Sequence, residues 1–111
     1  MIIPDKNTTF FFSISNNTST RGSNFYNKLF EKKKKNSLYI PIDIYDKKTF
    51  EKFINFLKSG IVNVYGISIS MPFKFFAQKF SDITHKSSTI SQNTNTLVFK
   101  KKKFMLIIQI I

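Results

Sequence analysis

At 111 residues, 41% of them hydrophobic and 14 of them Phe, the chain is long enough for one domain with a modest core and too short for two. It has no Cys and a single His, which excludes disulfides and thiolate chemistry and leaves a histidine metal site without support. A net charge of +12 raises nucleic acid or an anionic membrane as partners, but the lysines concentrate in two runs, Lys32 to Lys35 and Lys100 to Lys103.

Those runs sit in a chain rich in Phe, Ile, Asn and Lys, the residues written with A and T codons, so genome composition accounts for much of the charge. No interleaving of basic and aromatic residues appears, and nucleic acid is not expected as a partner. Pro4 and Asp5 interrupt the apolar start, so no signal peptide is visible, and Phe104 to Ile111 is too short to span a bilayer. The expectation is a cytoplasmic protein with no membrane partner.

Thr9 to Ser15, with Phe10, Phe11, Phe12 and Ile14, predicts a buried first strand. Asn16 to Gly22 reads as a loop. From Ser23, which can cap a helix, Phe25, Tyr26, Leu29 and Phe30 fall at helical spacing, and the Lys32 to Lys35 run suits the helix end. Leu38, Ile40, Ile42 and Ile44 alternate with Tyr39, Pro41 and Asp43, a second strand that Pro41 places at a sheet edge.

Asp46 then caps a helix carrying Phe50, Phe53, Ile54 and Leu57 on one face and closed by Gly60. A strand over Val62 to Ser70 completes a βαβ unit, and Pro72 opens a third helix with Phe73, Phe76, Ala77 and Phe80. Ser81 to Asn93 reads as an irregular turn or short helix, Asn95 to Phe99 as a strand, Lys100 to Lys103 as a turn and Phe104 to Ile111 as an apolar tail. The order predicts an α/β fold, a three-layer α/β/α domain around a mostly parallel mixed sheet and covering residues 1–111.

The stretch Gly66 to Lys74 organises the rest. Lys74 falls in the first turn of the third helix, where a cation opposes the helix dipole, and at the carboxyl edge of a strand, where open α/β sheets place ligand chemistry. A solvated lysine in a lysine-rich chain is the plainer reading of that residue taken alone.

Gly66, Pro72, Phe73 and Lys74, with Ser70 for Thr and Ser68 for Asn, resemble the motif Gly-x-Asn-Val-Thr-x-Pro-(His/Phe/Tyr)-Lys of shikimate dehydrogenases, in their N-terminal substrate-binding domain. Asn95 and Thr96 resemble the end of that family's Ala-Val-Asn-Thr. Thr20 to Asn27 resembles its Ser-x-Ser-Pro-x-x-His-Asn, with Asn27 identical, Thr20 keeping a hydroxyl, Gly22 in place of the second Ser and Ser23 in place of Pro. The resemblance runs from Phe10 to about Lys103.

It implies an oxidoreductase of the shikimate pathway to chorismate and the aromatic amino acids, reducing 3-dehydroshikimate to shikimate with NADPH. Lys74 would be its catalytic residue, polarising the ketone and supplying a proton to the alkoxide. Thr20, Gly22, Ser70 and Asn95 would be its substrate-binding residues.

The family's catalytic Asp, in an Asn-Thr-Asp motif, and its glycine-rich nucleotide domain are not among the 111 residues. The expectation is therefore a truncated or split enzyme, inactive alone and binding no NADP by itself, whose cofactor domain a separate polypeptide would supply. Residues 104–111 read as a candidate out-of-frame tail, because in one A/T-rich choice of codons the neighbouring frame spells Tyr-Val-Asn-Asn-Thr-Asp-Tyr. The competing readings are a non-catalytic module of the same fold that binds a small acid or a protein, a basic nucleic-acid-binding protein and the product of a decayed gene.

Overall fold

A computed structural model describes residues 2–70, 72–73, 83–84, 95–100 and 103–108, the last three groups as backbone only. Its elements run β1 (Thr9–Ser15), α1 (Arg21–Lys32), β2 (Ser37–Asp43), α2 (Lys47–Lys58), β3 (Val64–Ile69), β4 (Ile83–Thr84), β5 (Asn95–Lys100) and β6 (Lys103–Ile108). All six strands join one sheet in the order β2-β1-β3-β5-β6-β4.

β1 lies between β2 and β3 and runs parallel to both, with Ile14 level with Ile42 on one side and Ile69 on the other. The chain leaves β1 toward β2 and then crosses back to β3, so two right-handed crossovers must put their helices on opposite faces. Side-chain packing agrees. Phe11 stacks on Phe30 of α1 at 5.3 Å, while its neighbour Phe12 meets Phe53 of α2 edge-on at 5.4 Å. This is the expected three-layer α/β/α arrangement, and its sheet is mixed: β5 is antiparallel to both β3 and β6, and β4 is parallel to β6.

The core lies on the α2 face. Phe50, Ile54 and Leu57, one helical stripe, are fully buried against Phe12, Ile14, Val64, Ile67 and Ile69. Phe73 closes this core by stacking on Phe50 at 5.1 Å. Asp46 caps α2 as anticipated, accepting from the Thr49 amide at 2.8 Å, and Gly60 takes the left-handed position after the helix at φ 83°. Pro41 lies on the edge strand β2, where its missing N–H costs no ladder bond.

Three expectations need correction. α1 begins at Arg21 with Thr20 at its N-cap, and Ser23 is no cap: it is buried and its hydroxyl donates back to the Thr20 carbonyl at 3.0 Å. Ser19 already serves the Arg21 amide at 3.0 Å, so the chain turns into the helix earlier than the apolar spacing implied. Within Ser81 to Asn93, read as a turn or short helix, Ile83 and Thr84 are a short strand, and the rest lies outside the described residues.

The third concerns Phe104 to Ile111. Residues 104–108 are not a free tail but most of β6, paired in register with β5 from Lys100 and Lys103 to Asn95 and Ile108. A continuous apolar run beside another strand forms a ladder rather than remaining exposed. Beyond Phe73, which lies in a turn after β3, the expected third helix falls outside the described residues.

Candidate functional site

The sheet's topology selects one end. The chain leaves β1 in one direction and β3 in the other, and ligand crevices in open α/β sheets form outside the carboxyl ends of strands at such a reversal. At that point Ser15 ends β1, and the Ser70 amide, just past β3, donates to the Ile14 carbonyl at 2.9 Å. Asn95 pairs with Ile69, one residue before Ser70, because antiparallel β5 starts where parallel β3 ends. Ser70 and the Asn95 backbone are therefore neighbours, and Ser70 is half-buried.

The loop from β1 to α1 overhangs this end and is held by its own polar side chains. Ser15 Oγ accepts from the Asn17 amide at 3.0 Å, and Asp43, level with Ser15 on β2, accepts from both the amide and the hydroxyl of Thr18 at 2.7 Å. The Thr18 hydroxyl, followed by its amide, holds the Asp43 carboxyl below the ordinary value near 3.8. The loop is thus tied to an ionised group at neutral pH.

Thr20 is exposed at the N-cap of α1 and makes no side-chain cap bond, and the first turn carries no acidic residue. Ser19 Oγ accepts from the Arg21 amide, and beyond it neither a Thr20 side-chain cap nor an acid in the first turn opposes an anion at this helix end. Gly22 lies in that turn, directly over Tyr39: a Cβ added there would sit 3.7 Å from the Tyr39 ring and 3.9 Å from its hydroxyl.

Tyr39 is what sequence reasoning missed. It points to the α1 face, stacks on Tyr26 at 5.1 Å and brings its hydroxyl within hydrogen-bonding reach of Ser13 and Ser68. Ser13 and Ser68 are paired across β1 and β3, and Ser68 pairs with Thr96 across β5, so three hydroxyl-bearing positions form a row one step inside the sheet end. Burial raises the Tyr39 phenol above its ordinary value of 10.0, so it is a neutral donor at physiological pH. Its one visible signal was the alternation that set Tyr39, Pro41 and Asp43 on the strand face away from Leu38, Ile40 and Ile42.

Beside this row a cavity of about 340 Å³ lies under α1, lined by Phe11, Tyr26, Phe30, Tyr39, Tyr65 and Ser68 among others. It is aromatic and faces the middle of the sheet rather than its carboxyl end. Lys74 lies outside the described residues, as does the Asn95 side chain; Thr20 is at the N-cap of α1, Gly22 over Tyr39, and Ser70 beside the end of β1. Among the described residues no group of His, Asp and Glu could hold a metal ion, and no helix is long and apolar enough to cross a membrane.

Residues 14–97 match the family described as the shikimate dehydrogenase substrate binding domain. A solved shikimate 5-dehydrogenase-like protein superposes with a TM-score of 0.80 at 27% identity, over 95% of this chain and 37% of its own. A shikimate dehydrogenase in complex with NADP+ gives 0.78 at 18% identity, over 93% of this chain and 35% of its own. The shikimate 5-dehydrogenase of Listeria monocytogenes, in complex with shikimate and NAD, gives 0.78 at 18% identity, over 92% and 35%. The chain thus spans about a third of the length of these structures. No curated protein matches it by sequence.

Proposed function

The chain belongs to the shikimate dehydrogenase substrate-binding domain family, and on that premise we propose that it is the substrate-binding half of an NADP-dependent enzyme that reduces 3-dehydroshikimate to shikimate. The observation that carries the reading is that Ser70 and the start of β5 at Asn95 adjoin at the end of the sheet from which the β1–α1 connection departs.

In this reading the substrate carboxylate is held at the amide end of α1 by Thr20 and the backbone of Gly22, with the Tyr39 phenol beneath it as a further donor. The Ser70 hydroxyl and the Asn95 amide, which offers both donor and acceptor, take the ring hydroxyls. Lys74 polarises the ketone through its ammonium and delivers the proton the developing alkoxide needs. A ring ketone with two hydroxyls along one side and a carboxylate across the ring matches this distribution of donors.

The residues present do not fit a dinucleotide. Gly22 lies within α1, Gly60 at the end of α2 and Gly66 within β3, so no glycine-rich turn joins a strand to a helix. The nucleotide site belongs, in this reading, to a further domain on the same or a second polypeptide, and cytoplasmic placement follows from that metabolic role. Calorimetric titration of the chain with shikimate tests the reading. Binding is expected at millimolar ligand, weakened about tenfold or more in Lys74→Met, the worth of one charge-assisted hydrogen bond. No heat of binding at that concentration contradicts it.

A further inference from the structure

The proposed site uses one end of the sheet, and the other end has a character of its own. Four connections meet there: the segment before β1, the α1–β2 loop, the α2–β3 loop and the β5–β6 connection. Backbone bonds from Thr9 to Asn36 (3.0 Å) and from Phe10 to Asn63 (2.8 Å) bring the first three together, and Lys100 paired with Lys103 marks the fourth. The run Lys32 to Lys35 and the backbone positions Lys100 and Lys103, far apart in sequence, thus share one pole.

Lys32 to Lys35 are exposed beneath β2, and α2 ends at the same pole with Lys58. Neighbouring strands are about 4.8 Å apart, so three to four strand spacings separate this run from the Lys100–Lys103 pair, about 14 to 19 Å. That exceeds a Debye length of about 8 Å at physiological salt, so Lys32 to Lys35 and the Lys100 and Lys103 positions suit an extended surface rather than one site for a small anion. Among the described residues Asp5 and Glu31 are the acids at this pole, and Asp5 is engaged by the Asn7 amide and by Asn36 at 2.8 and 2.9 Å. Asp43 and Asp46 lie at the opposite end.

Two observations go beyond charge. Lys34 has φ 55°, the left-handed position after α1 where glycine is the ordinary choice. Ile3 and Ile61, in two of the four connections, are 83% and 74% exposed. An exposed isoleucine gains nothing against a phosphate backbone, but it gains by entering the boundary between headgroups and acyl chains beside lysines that attract acidic lipids.

We propose that this pole is a docking surface for an anionic lipid bilayer, with Lys32 to Lys35 on the headgroups and Ile3 and Ile61 inserted between them. The inference stands apart from the shikimate reading, since none of these residues is in the proposed site, and it departs from the expectation of no membrane partner, which rested on the lack of a spanning segment and not on this surface.

Co-sedimentation of the 111-residue chain with phosphatidylcholine vesicles, with and without phosphatidylserine, tests it. Binding is expected only with phosphatidylserine, falling as salt rises, and weakened at least about tenfold by Lys33→Glu, Lys34→Glu and Lys35→Glu together, at roughly 1 kcal/mol per lysine at a charged surface. A control with the same change in net charge, Arg21→Glu, Lys48→Glu and Lys52→Glu, toward the starts of α1 and α2, is expected to bind nearly as wild type. Ile3→Ser with Ile61→Ser is expected to weaken binding several-fold without changing its salt dependence. The proposal is overturned by absence of binding to phosphatidylserine vesicles at low salt, or by equal loss in the control, which would leave only net charge. Binding to a DNA duplex as tight as to vesicles, with no effect of the isoleucine changes, would assign the pole to nucleic acid instead.

Discussion

The side-chain amide of Asn27 makes both hydrogen bonds of a β-ladder with the backbone of Tyr39: Nδ2 donates to the Tyr39 carbonyl at 2.9 Å, and Oδ1 accepts from the Tyr39 amide at 2.7 Å. β2 is an edge strand, so these groups would otherwise be unpaired. The only residue identical to the family's motif at the start of α1 therefore anchors a strand, and with it the phenol under Gly22. Asn27→Ala is expected to cost about 1–3 kcal/mol, because two partly buried backbone groups lose their partner. Chemical denaturation measures this, and a cost within a few tenths of zero would mean water replaces the amide.

Gly22 stands where the family has serine, and the space above Tyr39 admits the change. A Cβ at ordinary contact distance, 3.7 to 4.0 Å from the ring, neither clashes nor forces Tyr39 to move. Gly22→Ser is expected to fold, to gain a few tenths of a kcal/mol in helix propensity and to bind shikimate more tightly by adding a hydroxyl to the carboxylate subsite. Weaker binding by a normally folded variant would place the carboxylate elsewhere.

The pH dependence has a definite sign. Asp43 has a folded pKa below its unfolded value, so its contribution is complete above the unfolded value and lost as pH falls through the folded one. Asp46, held down first by the Thr49 amide and then by its hydroxyl, adds in the same sense. Stability should therefore fall on acidification below about pH 4, and the β1–α1 loop should loosen as Asp43 releases Thr18. Asp43→Asn should flatten part of that fall; an unchanged acid limb in thermal melts at stepped pH contradicts the anchor.

Phe50 is fully buried and stacked on Phe73. Phe50→Ala is expected to cost about 3–5 kcal/mol, a large share of the stability of a domain this size. Lys34→Gly acts in the other direction, since glycine adopts φ 55° without a Cβ penalty; a gain of about 1 kcal/mol is expected. Urea midpoints separate the two effects.

Much of this was legible in the residues. A short apolar run marked β1, alternating Leu and Ile marked β2 and alternating Ile and Ser marked β3, Asp46 and Gly60 bracketed α2, and Pro41 marked an edge, because each is a local preference of a single residue or spacing. The N-cap of α1 was misplaced because Ser19, Thr20 and Ser23 all carry capping hydroxyls and only the folded loop decides among them. β6 was read as a tail because strand pairing depends on a partner, and no local pattern names one. Tyr39 went unnoticed for the same reason: its place beneath Gly22 and beside Ser13 and Ser68 comes from strand register and helix position.

The most direct test of the central claim is a shikimate titration followed residue by residue in the amide spectrum of the ¹⁵N-labelled chain. Shifts are predicted at Ser15, Thr20, Gly22, Ser70 and Asn95, with Lys33 to Lys35 and the α2 amides unmoved. Shifts confined to the aromatic cavity under α1 or to the lysine pole, or none at saturating ligand, would contradict the placement of the substrate site at the carboxyl end of the sheet.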